Sequence, residues 1–177
     1  MSRTVYYTAT TLDGFIADEN DSLAWLFRQD QDQDGAFNYD EFRATLGAGC
    51  MGATTYEWIL DHEDGKWPYT LPIWVFTHRD LPANEGVTFV RDDVAQVHAA
   101  MASAAGDKDM WVVGGGDLAG QFAEAGLLDE VLVYIAPVTL GAGRPLFPRR
   151  WDLRLVELAQ NKAFACARYE VVGPLAD

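Results

Sequence analysis

Val112-Val113-Gly114-Gly115-Gly116-Asp117-Leu118 is the stretch on which the reading of this chain turns. An apolar run, Met110-Trp111-Val112-Val113, ends in three glycines, and a helical pattern begins at once over 117–125, with Gly126 placed to close it. Without Cβ atoms the backbone can approach a diphosphate closely, and the free amides of the helix's first turn point at it. The plainer reading is a tight strand-to-helix turn with no ligand, but three consecutive glycines exceed what a turn needs. A GxGxxG dinucleotide fingerprint is absent, because Leu118 and Ala119 follow and no acidic residue ends a suitable second strand. The turn predicts an α/β domain that holds a phosphorylated nucleotide at the carboxyl end of a strand.

Outward from that turn, strands and helices alternate. Val5 to Thr10 is β-branched and aromatic, and Ile73-Trp74-Val75-Phe76-Thr77 is a continuous apolar run of the kind covered on both faces. Shorter strands are predicted at Cys50-Met51, Val87 to Val90 and Val131 to Ile135. Helices are predicted over 22–29 (one short turn), from the N-cap Asn38 to a stop at Gly47, from about Gly52 onward, and over 93–104. Two strands, about 153–160 and 164–172, read as a hairpin around Asn161-Lys162. The sum is one domain over residues 1–177, with a mostly parallel sheet, helices on both faces, and an antiparallel pair at the end.

Composition narrows the partners. The 177 residues include 13 basic and 27 acidic side chains, a formal charge of −14, which repels nucleic acid and anionic membranes alike. Half the chain is hydrophobic (49%), enough for a core without metals or disulfides. Cys50 and Cys166 stand alone among small or apolar residues and read as buried hydrophobes in a reducing compartment. Met1 runs almost directly into a strand with no signal-peptide pattern, so a cytoplasmic location is expected.

Four further stretches carry candidate chemistry. Met51-Gly52-Ala53-Thr54-Thr55 repeats the strand–Gly–helix junction, with two hydroxyls in the first turn that can donate to phosphate oxygens. Thr77-His78-Arg79 puts cationic donors at a strand end, suited to an adenosine 2′-phosphate. Thr11 to Ala17, followed by Asn20 and Trp25, is a Gly-containing loop in which Ile16 and Trp25 can exclude water from a ring system. Asp30, Asp32 and Asp34, with Gly35 and Glu41, match the spacing of an EF-hand calcium loop, although the preceding helix is short and no second copy exists.

With these segments in order, the chain resembles the dihydrofolate-reductase-like superfamily, and within it the reductase domain of bacterial deaminase–reductases of riboflavin synthesis and its stand-alone relatives. The matching residues are Leu12 to Ala17, Met51-Gly52 with Thr55-Tyr56-Glu57, Trp67-Pro68-Tyr69, Val75-Phe76-Thr77, Gly114 to Leu118, Leu128-Asp129-Glu130, Ala136-Pro137-Val138 and Pro145-Leu146-Phe147. The resemblance implies a three-layer α/β/α fold and an NADPH-dependent oxidoreductase acting on a pterin or ribosylaminopyrimidine-like small molecule. It implies that Ala9 and Ile16 frame the nicotinamide, and that Gly52, Thr54 and Thr55 take phosphates. Thr77, His78 and Arg79 then receive the adenosine end, and Gly114, Gly115, Gly116, Asp117 and Leu118 the diphosphate. A cis peptide at Gly114–Gly115 and a homodimer also follow from the resemblance. Ala53 stands where the family usually has an arginine on the cofactor phosphate, and no deaminase zinc signature is present.

Hydride transfer also needs a proton, and Asp13, beside the proposed nicotinamide loop, is the first candidate donor; Asp40 and Glu41 are weaker ones. Trp25 and Tyr134 are candidate substrate contacts. Two other classes stay open at this level: a calcium-binding module through Asp30, Asp32, Asp34 and Glu41, and a nucleotide-binding relative that has lost reduction.

Overall fold

The computed structural model describes residues 2–177. Eight strands form one sheet, which in chain order comprises β1 (Thr4–Thr11), β3 (Leu46–Gly52), β4 (Ile73–Phe76), β5 (Val87–Val90), β6 (Asp109–Gly114), β7 (Glu130–Ala136), β9 (Trp151–Asn161) and β10 (Phe164–Pro174). Their spatial order is β5-β4-β3-β6-β1-β7-β10-β9. The pairs from β5 across to β7 are parallel, and β10 adds to β7 and β9 antiparallel. The mostly parallel sheet with a terminal antiparallel hairpin is the arrangement expected above.

Alternation along the strands explains why they read as unbroken apolar runs. Val5 and Tyr7 face one layer while Tyr6 faces the other, and both layers are filled. Helices α4 (Val94–Ala105) and α5 (Gly116–Glu124) cover Tyr6, Cys50, Val112, Val131 and Val133. The opposite face takes α1 (Ala24–Phe27), α2 (Tyr39–Ala44) and α3 (Ala53–His62), which cover Tyr7, Trp111 and Tyr134, and farther along Met51, Ile73 and Val75. Cys50 and Cys166 are free and fully buried, and burial pushes the Cys166 thiol up to about 12.

Three local readings change. The second helix stops at Ala44, before Gly47, which is instead a residue of β3. A Cβ there would sit 2.7 Å from Ala105 Cα, so this glycine lets the end of α4 close onto the sheet. The strand at Cys50-Met51 accordingly extends back to Leu46. A small second sheet, β2 (Phe15–Ala17) with β8 (Arg144–Pro145), goes unread in the sequence because its pairing joins segments over a hundred residues apart. Gly126 does close α5 at a φ of 72°, and Asp93 caps α4 by accepting from Gln96 N.

The exit of β1 is fastened by Asp13. Its carboxylate accepts the Thr11 hydroxyl at 2.6 Å, the Gly141 amide at 2.8 Å and the Leu140 amide at 3.2 Å. The Thr11 hydrogen bond, followed by the backbone amides, holds this carboxyl below its ordinary value of 3.8. A lowered folded-state value means the stabilisation is present above the unfolded pKa and is lost as pH falls through the folded one. Thermal unfolding of Asp13→Ala against the parent should therefore show a lower midpoint at neutral pH. That gap should close progressively in acid, below the usual carboxylate range.

Candidate active site

β3 and β6 lie side by side and parallel, yet α3 leaves β3 onto one face and α5 leaves β6 onto the other. The divergence opens a crevice at the carboxyl ends of the strands, the position where ligands collect in open α/β sheets. Two helices begin there together. Gly52 is the N-cap of α3 and Gly115 the N-cap of α5, and neither first turn receives a side-chain cap. The leading amides of both helices are thus left for a ligand, with both dipoles aimed at it.

The three glycines serve three different needs. The Gly114–Gly115 peptide is cis, and Gly114 has a φ of 156°. A Cβ on Gly115 would find only Ile16 Cδ1, at 3.8 Å, so the bare backbone here borders open cleft. Gly116 has a structural reason instead: a Cβ would lie 2.3 Å from Pro145 O and 2.5 Å from Leu146 O. That roof is pinned from elsewhere, by Tyr6 Oη donating to Leu146 O at 2.9 Å and Leu146 N donating to Gly14 O at 2.9 Å. One of the three glycines is therefore accounted for by packing.

The cleft encloses about 1170 Å³. Its glycine wall is made by Gly52 to Thr55 and Gly114 to Leu118, with Ala9 and Ile16 from the β1 end. An aromatic wall is made by Phe27, Trp58, Tyr69 and Trp111, with Leu23 and Leu26. Phe27 and Trp58 stack at a centroid distance of 5.9 Å, and Tyr69 meets Trp111 edge-on at 5.8 Å. Trp58 was not legible as a wall residue, although it sits on the side of α3 away from the buried Tyr56 and Ile59. Arg144, Gln29, Gln31, Gln33 and Gln121 also border the space.

Other candidates fall elsewhere. Asp13 is off the cleft wall and spends its carboxylate on the 140–141 turn; with its pKa lowered rather than raised, the proton-donor expectation is corrected. Trp25 is buried in the core beside Leu46 and Trp111 and does not line the cleft; its neighbours Leu26 and Phe27 do. Tyr134 does border the cleft, but its hydroxyl hydrogen goes to Phe37 O at 2.5 Å, with Ala36 O also within reach at 3.0 Å. Thr77, His78 and Arg79 lie past the wall. Thr77 Oγ1 accepts from Arg79 N at 2.9 Å, and the Arg79 guanidinium holds both oxygens of Glu57 at 3.0 Å. Asp117 lines the cleft, held ionised below its ordinary range by Gln121 and Arg149.

Calcium spacing in 30–41 does not become a calcium site. Among the described residues no three His, Cys, Asp or Glu side chains gather as a metal would require. Glu41 and Asp40 lie in the first turn of α2, where Asn38 caps the helix through Glu41 N. Asp30 pairs with Lys162 at 3.5 Å, and the loop wraps the amide of Asn161, which holds Asp32 and Ala36 by their backbone atoms. No helix among the described residues is long and apolar enough to cross a membrane.

Comparison with known proteins agrees with this geometry. A family model for the RibD C-terminal domain matches residues 66–169. YwjB of Bacillus subtilis (strain 168), itself uncharacterised, is 31% identical over 167 residues, covering 93% of this chain and 94% of YwjB. YyaP of the same organism, also uncharacterised, is 27% identical over 168 residues, covering 87% of this chain and 86% of YyaP. A Shewanella sp. PV-4 protein ascribed to riboflavin biosynthesis has the same fold, with a TM-score of 0.81 at 23% identity over 96% of this chain and 99% of that one. So does the Thermotoga maritima diaminohydroxyphosphoribosylaminopyrimidine deaminase/5-amino-6-(5-phosphoribosylamino)uracil reductase, with a TM-score of 0.65 at 16% identity over 97% of this chain and 57% of that one. The chain belongs to the RibD C-terminal domain family.

Proposed function

We propose that this protein is an NADPH-dependent reductase that transfers a hydride to a heterocyclic small molecule of the pterin or ribosylaminopyrimidine type. The observation that carries the reading is the pair of uncapped helix N-termini, at Gly52 and Gly115, opening side by side onto an aromatic cleft. The residues fit a dinucleotide diphosphate: the space beyond Gly115 is open, and the Thr54 and Thr55 hydroxyls border it without a hydrogen-bond acceptor among the described residues. Arg79, in exchange for its exposed pair with Glu57, would take the 2′-phosphate beside His78, and Arg91, which donates to His78 O at 3.3 Å, adds a second guanidinium at that corner. These two guanidinium groups would stand in for the arginine that the resemblance places at Ala53.

When bound, the nicotinamide supplies the hydride; the protein binds, orients and keeps the pocket dry. Ala9 and Ile16 frame the ring, and Phe27, Trp58 and Trp111 offer flat apolar surface to a planar substrate. The Tyr7 and Tyr134 hydroxyls are spent on the carbonyl of Phe37 and Asp13 is off the wall, so the proton is drawn from bound water. Two buried free thiols suit a reducing cytoplasm, where NADPH is supplied.

Titration with NADPH and NADH, followed by quenching of the six tryptophans, tests this reading. NADPH should bind more tightly, and Arg79→Ala should narrow the difference. Thr54→Val and Thr55→Val should each weaken NADPH by roughly three- to tenfold, about 1 kcal/mol, with no change in unfolding midpoint. Absence of binding by either nucleotide discards the reading. Tight binding with no oxidation across a panel of pterins and ribosylaminopyrimidines would favour a relative that has lost reduction.

A homodimer belongs to the same proposal. The edge strand β9 exposes Leu153, Leu155 and Leu158, which through their partners Val171, Tyr169 and Ala167 share the α5 face of the sheet. A long apolar edge left open invites uncontrolled pairing, whereas a two-fold contact closes it. Light scattering should give twice the mass of one chain, and Leu155→Glu with Leu158→Glu should return the monomer. A parent protein that is monomeric at high concentration removes the dimer from the proposal.

A further inference from the structure

A phosphate on a small molecule must be met by a cationic side chain or by the open amides of a helix start. The cleft has only one cation on its walls among the described residues, Arg144. It is already engaged: Nε reaches Asp21 Oδ1 at 2.7 Å, and Nη2 reaches Asp21 Oδ2 and the Glu19 carbonyl, both at 3.3 Å. The remaining charges on the walls, Asp21, Asp30 and Asp117, are negative.

Helix starts offer no alternative at the aromatic end. Three of them lack a side-chain cap, and those of α3 and α5 open on the glycine wall. At α1, beside the aromatic wall, Ala24 N donates to Ser22 Oγ at 3.2 Å, and Leu26 N and Phe27 N donate to Leu23 O at 2.9 and 3.3 Å. α2 is capped by Asn38, and α4 by Asp93. What the aromatic end presents is apolar and aromatic surface with neutral amides. The Gln29 side chain donates its NH₂ to Trp25 O at 2.7 Å and so keeps its carbonyl oxygen for a donor, and Gln31 and Gln33 stand near it on the same wall. Neutral amides suit the donor and acceptor edge of a planar heterocycle, and cannot balance a dianion.

Resting on the reductase reading, we infer that the substrate end selects an uncharged planar heterocycle without a phosphate, and discriminates against phosphoribosyl compounds. A phosphorylated compound entering this end would exchange its hydration for Asp30 and the Asp21–Arg144 pair, with no free donor cation in return. The discrimination comes from electrostatic mismatch rather than from lack of room, because the cleft is wide.

Equilibrium binding of two matched pairs tests this: 5-amino-6-ribosylaminouracil with and without its 5′-phosphate, and neopterin with and without a monophosphate. Both pairs are measured by tryptophan quenching on the free protein and on the protein saturated with NADP⁺. In at least one pair the unphosphorylated member should bind, and bind roughly tenfold or more tightly than its phosphorylated partner. Asp21→Asn, an exchange its φ of 60° tolerates, frees Arg144 and should tighten the phosphorylated member severalfold while leaving the other unchanged. Equal or tighter binding of the phosphorylated members by the parent protein overturns the inference, as does failure of both pairs to bind. Because the pairs are ranked on the free protein as well, loss of NADPH binding would condemn the reductase reading separately from the ranking.

Discussion

The parallel pairing of β3 with β6, with their helices departing to opposite faces, is the constraint on which the rest of this structure depends. Register between Cys50 and Val112 and between Met51 and Gly114 brings the two strand ends level. α3 must then start from Gly52 and α5 from Gly115 within one crevice, and neither start has a side chain to cap it. An uncapped helix start carries unsatisfied amides, which costs stability unless water or a ligand meets them. Two such starts at one place are a concentrated demand for an anion. The small β2–β8 sheet roofs the crevice, and Gly116 lets that roof come down to the backbone of α5.

This demand is local, which is why it coexists with a chain carrying a formal charge of −14. Charges more than about 8–10 Å away are largely screened at physiological salt, whereas amides in direct contact with a ligand are not. Asp117, in the first turn of α5, has its charge taken by Arg149 and its other oxygen by Gln121. Asp21 and Arg144 cancel each other at the rim in the same way. The glycine wall thus keeps the open amides of two helix starts, and the one cation lining the cleft among the described residues, Arg144, is already paired.

The 30–41 loop illustrates how spacing and geometry part company. Its carboxylates repeat at the intervals of a calcium loop, but calcium needs them to converge on a point, and convergence depends on the flanking helices. Here the preceding helix has four residues, too few to hold a loop end rigid. Asn161, from the far end of the chain, organises the loop through its backbone, and Tyr7 and Tyr134 tether Phe37 by its carbonyl. With the backbone pinned inward, Asp30 turns to Lys162 at the surface and Asp32 accepts the Asp34 amide.

The sequence by itself determined the local elements and the two glycine junctions, because helix periodicity, strand runs and Gly placement are short-range properties of the chain. It also determined the family, through motifs colinear over nearly the whole length. Tertiary structure decided which of these motifs share a site. Asp13 and Trp25 sit close in sequence to Ile16, yet a hydrogen-bonded turn takes the first and the core takes the second. Trp58 and Phe27 met across more than thirty residues, and the role of Gly47 depended on Ala105. Whether a side chain reaches solvent, a neighbour or a cleft is fixed by what packs against it. That neighbour is supplied by a distant part of the chain, and no local pattern encodes it.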